Sequence, residues 1–370
     1  MQRFSDRLLE IAVIENTEGF AALREEWEDL YRDSSLANPF QSWAWLYSWW
    51  EICGRSFKLR LITVRDERLL VGLIPLMLEN RWGFRKLLFV GTSSTTYHPR
   101  DILVRKGWES QVSEAGRQAL EQMDSWHVID LQDVIPTAAV WSIFQEWERS
   151  KTYQHFRQDY REIDVKPWDD LLMSLSKDHR KVARRTIRRA EQDGLSCEMV
   201  GVEDADQAAR RLVRLHREMW RGRDMKPQHL TSRFESEMVA AARRMTASGL
   251  WGISEFWRDG KVIVSQLWAF GDRLTYAYML GASKEALQRY QVSSLVIWKG
   301  INIALDRRSA YLSLGPGMEP YKMRWATRTT PNYRVFLGYR LAIWVPYAAC
   351  RPLRRTLIRS YRNLRRRAHL

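Results

Sequence analysis

Apolar and polar residues alternate most regularly between residues 250 and 282. Two strand-like runs, 250–257 and 262–270, meet at Arg258-Asp259-Gly260-Lys261, and a third, 274–282, follows Gly271-Asp272. Asp-Gly between apolar runs predicts a hairpin, because a type I′ turn needs positive φ at both central residues and these two tolerate it best. The pattern therefore predicts a three-stranded antiparallel meander. After it come a polar loop at 283–294, an apolar helix at 295–305, a short strand at 310–314 and the cluster Gly315-Pro316-Gly317-Met318-Glu319-Pro320-Tyr321-Lys322. A polar loop that feeds a helix N-terminus suits an anion, since unpaired backbone N–H groups and the helix dipole point at whatever sits there.

Upstream, Phe20, Leu23, Trp27 and Leu30 fall at helical spacing within 19–31, and Ser42 can cap a second, tryptophan-rich helix at 43–53. That cluster reads as a packing seam. A hairpin at 59–65 and 69–78 turns at Asp66-Glu67. Its run Arg65-Asp66-Glu67-Arg68-Leu69-Leu70-Val71 aligns with Arg258-Asp259-Gly260-Lys261-Val262-Ile263-Val264, a repeat that predicts two copies of one α/β unit. A polar stretch at 154–170, ending near Pro167, reads as the linker between them. Residues 176–191 form a helix crowded with Lys177, Arg180, Lys181, Arg184, Arg185, Arg188 and Arg189. That density self-repels unless an anion is present, although charge runs are usually solvated faces. Residues 199–247 are mostly helical, and His216, beside Leu212, Val213 and Leu215, reads as a structural histidine.

Composition narrows the classes. The chain has 370 residues, 45% hydrophobic and 12% aromatic, enough for buried cores and about two domains. Its net charge of +15 predicts attraction to nucleic acid, anionic lipid or a phosphate-rich cofactor. Cys53, Cys197 and Cys350 are too few and too far apart for a disulfide framework or a zinc cluster, and they suit a reducing cytosol. The histidines show no metal-ligand spacing, so no metal is expected. Residues 1–10 lack the apolar core of a signal peptide, and no window reaches the roughly 20 apolar residues of a spanning helix. The expectation is a cytoplasmic protein, soluble or peripheral on the inner membrane face. In 341–370 eight arginines face Leu353, Leu357, Ile358, Tyr361 and Leu364 at helical spacing. Such a basic amphipathic segment reads as a membrane-surface anchor, with nucleic-acid binding or a disordered basic tail as rivals.

Several stretches together resemble the BioF2-like/CelD-type acyltransferases, a branch of the GNAT superfamily related to the FemAB transferases. They are Asn38-Pro39-Phe40-Gln41-Ser42, the basic helix from Leu175 to Gly194, His216-x-x-x-Trp220 with Arg221-Gly222, Arg258-Asp259-Gly260, Tyr276-x-Tyr278, and Glu319-Pro320-Tyr321-Lys322-x-x-Trp325-Ala326-Thr327. The resemblance covers roughly residues 35–340.

It implies an α/β (α+β) fold of tandem GNAT-like domains, each a mixed, mostly antiparallel sheet flanked by helices. Residues 1–160 would shape the acceptor cleft, 161–340 would bind the donor and catalyse, and 341–370 would be the basic tail. The implied activity is N-acyl transfer from an acyl-CoA-type thioester to an amine on a lipid, sugar or polysaccharide precursor. Two alternatives stay open: a FemAB-like transferase that uses aminoacyl-tRNA, and a non-catalytic accessory protein of cellulose or exopolysaccharide biosynthesis. DNA is not an expected partner. For the donor anion the candidates are Gln288, Arg289, Tyr290, Gln291, Val292, Ser293 and Ser294, where the two serines replace the glycine common in relatives and can cap the following helix. Arg180, Arg184 and Tyr97 are candidate anion or substrate contacts. Glu319 is a candidate base, with His98 and Asp101 as rivals, since a His beside an Asp in a polar loop has an ordinary pKa suited to that role. Tyr278 or Tyr321 would protonate the leaving thiolate, Lys322 would neutralise phosphate or the oxyanion, and Trp325 would pack the cluster. The Glu-Pro-Tyr-Lys run also reads as a structural turn.

Overall fold

The computed structural model describes residues 9–338 apart from 82, 93–97, 124, 146, 148–151 and 223–226. Tyr97 and the basic tail at 341–370 lie outside the described residues.

Both halves of the chain contribute to one mixed sheet. In the N-terminal half β1 (Glu10–Ile14), β2 (Lys58–Asp66), β3 (Leu69–Arg81) and β4 (Phe84–Phe89) are antiparallel neighbours, and β4 then pairs in parallel with β6 (Val128–Val134). A two-residue strand, β5 (Leu103–Val104), joins β3. The C-terminal half repeats this order: β8 (Ser196–Met199), β9 (Trp251–Arg258), β10 (Lys261–Phe270) and β11 (Leu274–Ala282) are antiparallel, and β11 pairs in parallel with β12 (Tyr311–Pro316). The aligned hairpins occupy equivalent places, β2–β3 and β9–β10. Their turns carry positive φ as the sequence requires, 49° at Asp259, 71° at Gly260 and 54° at Glu67.

Two long strands join the halves. β7 (Thr152–Asp164) pairs with β12, β13 (Arg328–Gly338) pairs with β6, and β7 and β13 pair with each other. Each half's sheet is thus completed by a strand that comes after the other half's position in sequence or before it. The expected linker at 154–170 is therefore corrected: it contains a central strand, and a boundary at 160/161 falls inside β7. The segment reads as polar because residues 153–156 are exposed, while Tyr160 and Ile163 deeper in the sheet are buried.

Helices cover both faces. On one, α1 (Thr17–Ala22), α2 (Arg24–Asp33) and α3 (Trp43–Cys53) share a core with α8 (Ala205–Met219) and α9 (Ser232–Ala247). Trp45 and Trp49 lie in that seam at 0% and 2% exposure, as the packing reading of the tryptophans expects. The single helix expected at 19–31 is broken at Leu23, whose N–H still bonds to Gly19 O. The other face carries α4 (Glu109–Gln122) and α5 (Val140–Gln145) over the N-terminal half. Over the C-terminal half lie α6 (Trp168–Met173), α7 (Lys177–Gln192) and α11 (Val292–Asp306). The polar loop expected at 283–294 is also corrected. Ser283 Oγ accepts from Ala286 N and starts α10 (Lys284–Arg289), which runs almost directly into α11. No glycine or proline interrupts the stretch, and Ala286 and Tyr290 are buried, so a short helix forms. A last short helix, α12 (Pro320–Trp325), precedes β13.

Candidate active site

The parallel pair of the C-terminal half comes apart. Leu274, Thr275 and Tyr276 pair with Tyr311, Leu312 and Ser313; beyond them β11 keeps only β10 and β12 keeps only β7. Between Tyr276 and Leu280, β11 therefore has peptide groups with no strand on the side that β12 leaves. Leu280 O is taken by His216 Nδ1 at 2.7 Å, which gives that histidine the structural role expected of it. Burial pushes the His216 imidazole down to about 4. α11 crosses back from the carboxyl end of β11 to the start of β12, so its N-terminus lies at the carboxyl end of the parallel pair. Open α/β sheets bind ligands at that end. α11 sits tightly on the sheet: a Cβ on Gly300 would come within 2.7 Å of the Trp268 ring.

On the α7–α11 side lie the residues nominated for the donor. Gln291 is the N-cap of α11 without a side-chain cap bond, and Val292, Ser293 and Ser294 form its first turn. The serine hydroxyls do not cap this helix, contrary to expectation. Ser294 is buried and its Oγ bonds Gln291 Oε1 at 2.9 Å. Arg289 makes a two-point ion pair with Asp193 at the end of α7, and Tyr290 OH donates to the same carboxylate at 2.6 Å. These contacts hold the Asp193 carboxyl well below the usual carboxylate range and fasten the start of α11 to the end of α7. Gln288 is exposed. Ser176 caps α7, Arg180 Nη1 lies 3.1 Å from Met173 Sδ, and Arg184 pairs with Asp169 at 3.3 Å in solvent. Lys177, Lys181, Arg185 and Arg188 are exposed, and their side chains make no ion pair or hydrogen bond among the described residues.

On the opposite face both halves meet in an aromatic cluster. Phe40 stacks on His98 at 4.3 Å between ring centroids and lies 5.3 Å from Tyr276 and 5.1 Å from Tyr278. Trp45 sits 5.4 Å from His98 and 5.2 Å from Trp251, which in turn lies 5.8 Å from Tyr278. His98 and Tyr278 are thus brought together across the halves, at 6.3 Å. Neither ring nitrogen of His98 has a hydrogen-bond partner among the described residues, and the same holds for Trp45 Nε1 and Trp251 Nε1. The solvated base expected from the sequence is corrected here. His98 is 1% exposed, and burial, with Arg100 nearby, drives its pKa well below the ordinary histidine value. Asp101 is no partner for it. Its carboxylate accepts from the N–H groups of Ile102, Val140 and Ala139 and so caps α5. Burial pushes its pKa up to about 7 against the pull of those three donors.

The sequence reading missed Glu162. Cross-strand register places Tyr276, Ser313, Glu162 and Arg328 in one row over β11, β12, β7 and β13, hence on one face beside the splay. Glu162 is buried, accepts from Thr330 Oγ1 at 3.0 Å and pairs with Arg328 at 3.1 Å. Burial raises its pKa, while Thr330 and Arg328 oppose that. Only the recognition of 152–164 as a strand would have revealed it.

Gly315, near the end of β12, and Gly317, just past it, adopt φ of 73° and 129° and lead the chain into α12. Glu319 is the N-cap residue of α12, and its carboxylate lies 3.2 Å from Lys322 Nζ, which also donates to Pro316 O at 2.7 Å. Burial lowers the Lys322 pKa while Glu319 holds it up. Burial, with Glu319 nearby, raises the Tyr321 pKa. Trp325 is 2% exposed and stacks on Trp168 at 5.5 Å. The Glu319–Lys322 turn and the start of α11 therefore flank the same end of the splayed pair, while Asp101 and Arg184 stand apart in roles of their own.

This geometry defines a class. Residues 177–323 match the model of the GNAT acetyltransferase domain, and the repeated strand order makes the whole described chain a tandem GNAT-like α/β fold. Among solved structures it resembles FemX, 11% identical, with 88% of this chain and 96% of that one covered at a TM-score of 0.62. It also resembles the C-terminal domain of a putative lysylphosphatidylglycerol synthetase from Agrobacterium fabrum, 10% identical over 90% and 97% of the chains at 0.54. L-PGS from Bacillus licheniformis is similar as well, 10% identical over 84% and 90% at 0.54. At such identities the likeness is one of fold. No curated protein matches the sequence.

Proposed function

We propose that the protein is a GNAT-type N-acyltransferase of the BioF2-like/CelD kind. It takes an acyl group from an acyl-CoA-type thioester to an amine on a lipid, sugar or polysaccharide precursor. The observation that carries this reading is the splay beyond Tyr276 and Ser313, with the N-terminus of α11 at its open end. A strand edge with no neighbouring strand suits an extended chain that carries amides, as the pantetheine arm does, and a helix N-terminus favours the phosphates at the far end of that arm. The donor would lie on the α7–α11 side and present its thioester through the splay to the aromatic cluster opposite. There the amine nitrogen attacks the thioester carbon, the C–S bond breaks, and the thiolate takes a proton. Tyr278, on β11 just past the last parallel pair, would supply that proton. Glu162, whose pKa burial raises, flanks the acceptor side as the proton acceptor, with Glu319 as its rival; the first carboxylate is paired with Arg328 and the second with Lys322.

The row of unpaired cations on α7 favours a second reading. Four of them in one exposed row suit a nucleic-acid backbone as well as a coenzyme, and the fold relatives include FemX and lysylphosphatidylglycerol synthetases, so an aminoacyl-tRNA donor is the rival. Calorimetric titration with acetyl-CoA and palmitoyl-CoA tests the first reading. Binding by either supports it. No thioester binding, together with tRNA retention that falls steeply with salt, would replace it with the second. Absence of both would leave the accessory role.

A further inference from the structure

The N-terminal half has a splay of its own. β4 and β6 pair in parallel only at Lys86–Val128 and Leu87–Ile129 and then separate, as β11 and β12 do. Here, however, the gap holds chain. The backbone N–H of Arg100 donates to Asp133 O on β6 at 3.0 Å. Its guanidinium bridges the two strands: Nη1 donates to Asp133 Oδ2 at 2.6 Å and Nη2 donates to Gly91 O, just past β4, at 2.9 Å. Arg157 on β7 donates to the other Asp133 oxygen at 2.7 Å. Arg100 and Asp133 are 4% and 1% exposed, so the bridge is internal. Asp133 takes a φ of 61° where the strand is irregular, which turns its carboxylate to this use. In the C-terminal splay no hydrogen bond among the described residues joins β11 beyond Tyr276 to β12.

We infer that the N-terminal splay is filled by the protein's own residues 98–101, locked by Arg100, so that the protein takes one donor per chain, in the C-terminal splay alone. The filled splay has acquired another use. Arg100 is the positioning residue that holds His98 across the junction against Phe40 and beside Tyr278. The single-donor part rests on the acyltransferase reading; the anchoring part does not.

Two measurements test it. Hydrogen exchange and calorimetry on the full chain with saturating palmitoyl-CoA should give one equivalent bound. Protection should appear in residues 276–294 and 313–319 and be absent from 86–91 and 128–134. Two equivalents, or protection in the N-terminal splay, would overturn the inference. On the unliganded protein, Arg100→Met should raise exchange in 98–104 and move the His98 ring proton resonance, shifted by the Phe40 ring and assigned through His98→Gln, towards its free-histidine position. Donor affinity should be unchanged. Arg100→Lys keeps the charge but cannot bridge both acceptors, so it should show the same change to a smaller degree, and it serves if the methionine variant does not fold. Unchanged exchange and resonance in both variants would refute the anchoring role. If no thioester binds, the acyl-CoA reading fails while these variants still decide whether Arg100 fills the splay.

Discussion

Replacing His98 by Phe probes the electrostatics of the aromatic cluster. Phenylalanine preserves the stacking on Phe40 and removes two ring nitrogens that have no partner among the described residues. In the folded protein burial keeps the imidazole neutral, whereas in the unfolded chain it titrates near 6.5. The unfolded state therefore binds one more proton below that value, and His98 withdraws stability as the pH falls. At 1.36 kcal/mol per pKa unit, the loss between about pH 7.5 and 5 is about 2 kcal/mol. His216, pushed down to about 4, acts in the same sense. Asp101 and Glu237, pushed up to about 7 by burial, act in the opposite sense: they bind protons in the folded state first, so their contribution grows as the pH drops through 7. The groups act in opposite senses, so the wild-type curve alone does not isolate His98. The difference between wild type and His98→Phe isolates one proton. Urea unfolding of both proteins at several pH values should show the variant gaining about 2 kcal/mol on the wild type between about pH 7.5 and 5. Parallel curves would show that His98 is protonated in the folded state, and the account of a dry, neutral cluster would fall.

Gly281→Ala places a Cβ 2.7 Å from His216 N and Leu212 O, backbone atoms of α8 that cannot swing aside, and should cost about 1–3 kcal/mol in chemical denaturation; an unchanged midpoint would refute the close approach of β11 and α8. Tyr278→Phe keeps the ring among Phe40, Trp45 and Trp251, so thioester affinity should hold while transfer falls about 100-fold or more; equal turnover would remove the hydroxyl from the proton path. Asp193→Asn releases Arg289 and Tyr290 from the end of α7 and should weaken thioester binding with little change in melting temperature. Unchanged affinity would mean that the start of α11 is ordered without that clamp.

How much of this was legible depended on local signals. The meander was, because Asp259-Gly260 fixes a turn within four residues and the flanking apolar runs fix the strands. The tryptophan helix α3 was, because its core partners needed only helical spacing. β7 was not, since a strand whose first half is exposed on the sheet carries too few apolar residues to betray its pairing with β12 and β13, both more than 140 residues away. Glu162 was hidden with it. The burial of His98 was equally illegible: neighbours such as Pro99 and Arg100 look like a solvated loop, and only Arg100's bridge to Gly91 and Asp133 turns them inward. Ser293 and Ser294 do not cap α11, because α10 consumes the loop that would have let them do so.

The exchange of β7 and β13 bears on how the chain is made. The N-terminal half lacks the neighbour of β6 until the last strand has been synthesised, and the C-terminal half takes its neighbour for β12 from a segment that precedes it. A ribosome-bound chain would therefore expose the edge of β6 while residues 135–328 are made. Unpaired edges and late, long-range pairing are the conditions under which nascent proteins aggregate. Expressed alone, residues 1–160 would keep that edge open, since the two repeated units, however alike in outline, complete their sheets only together.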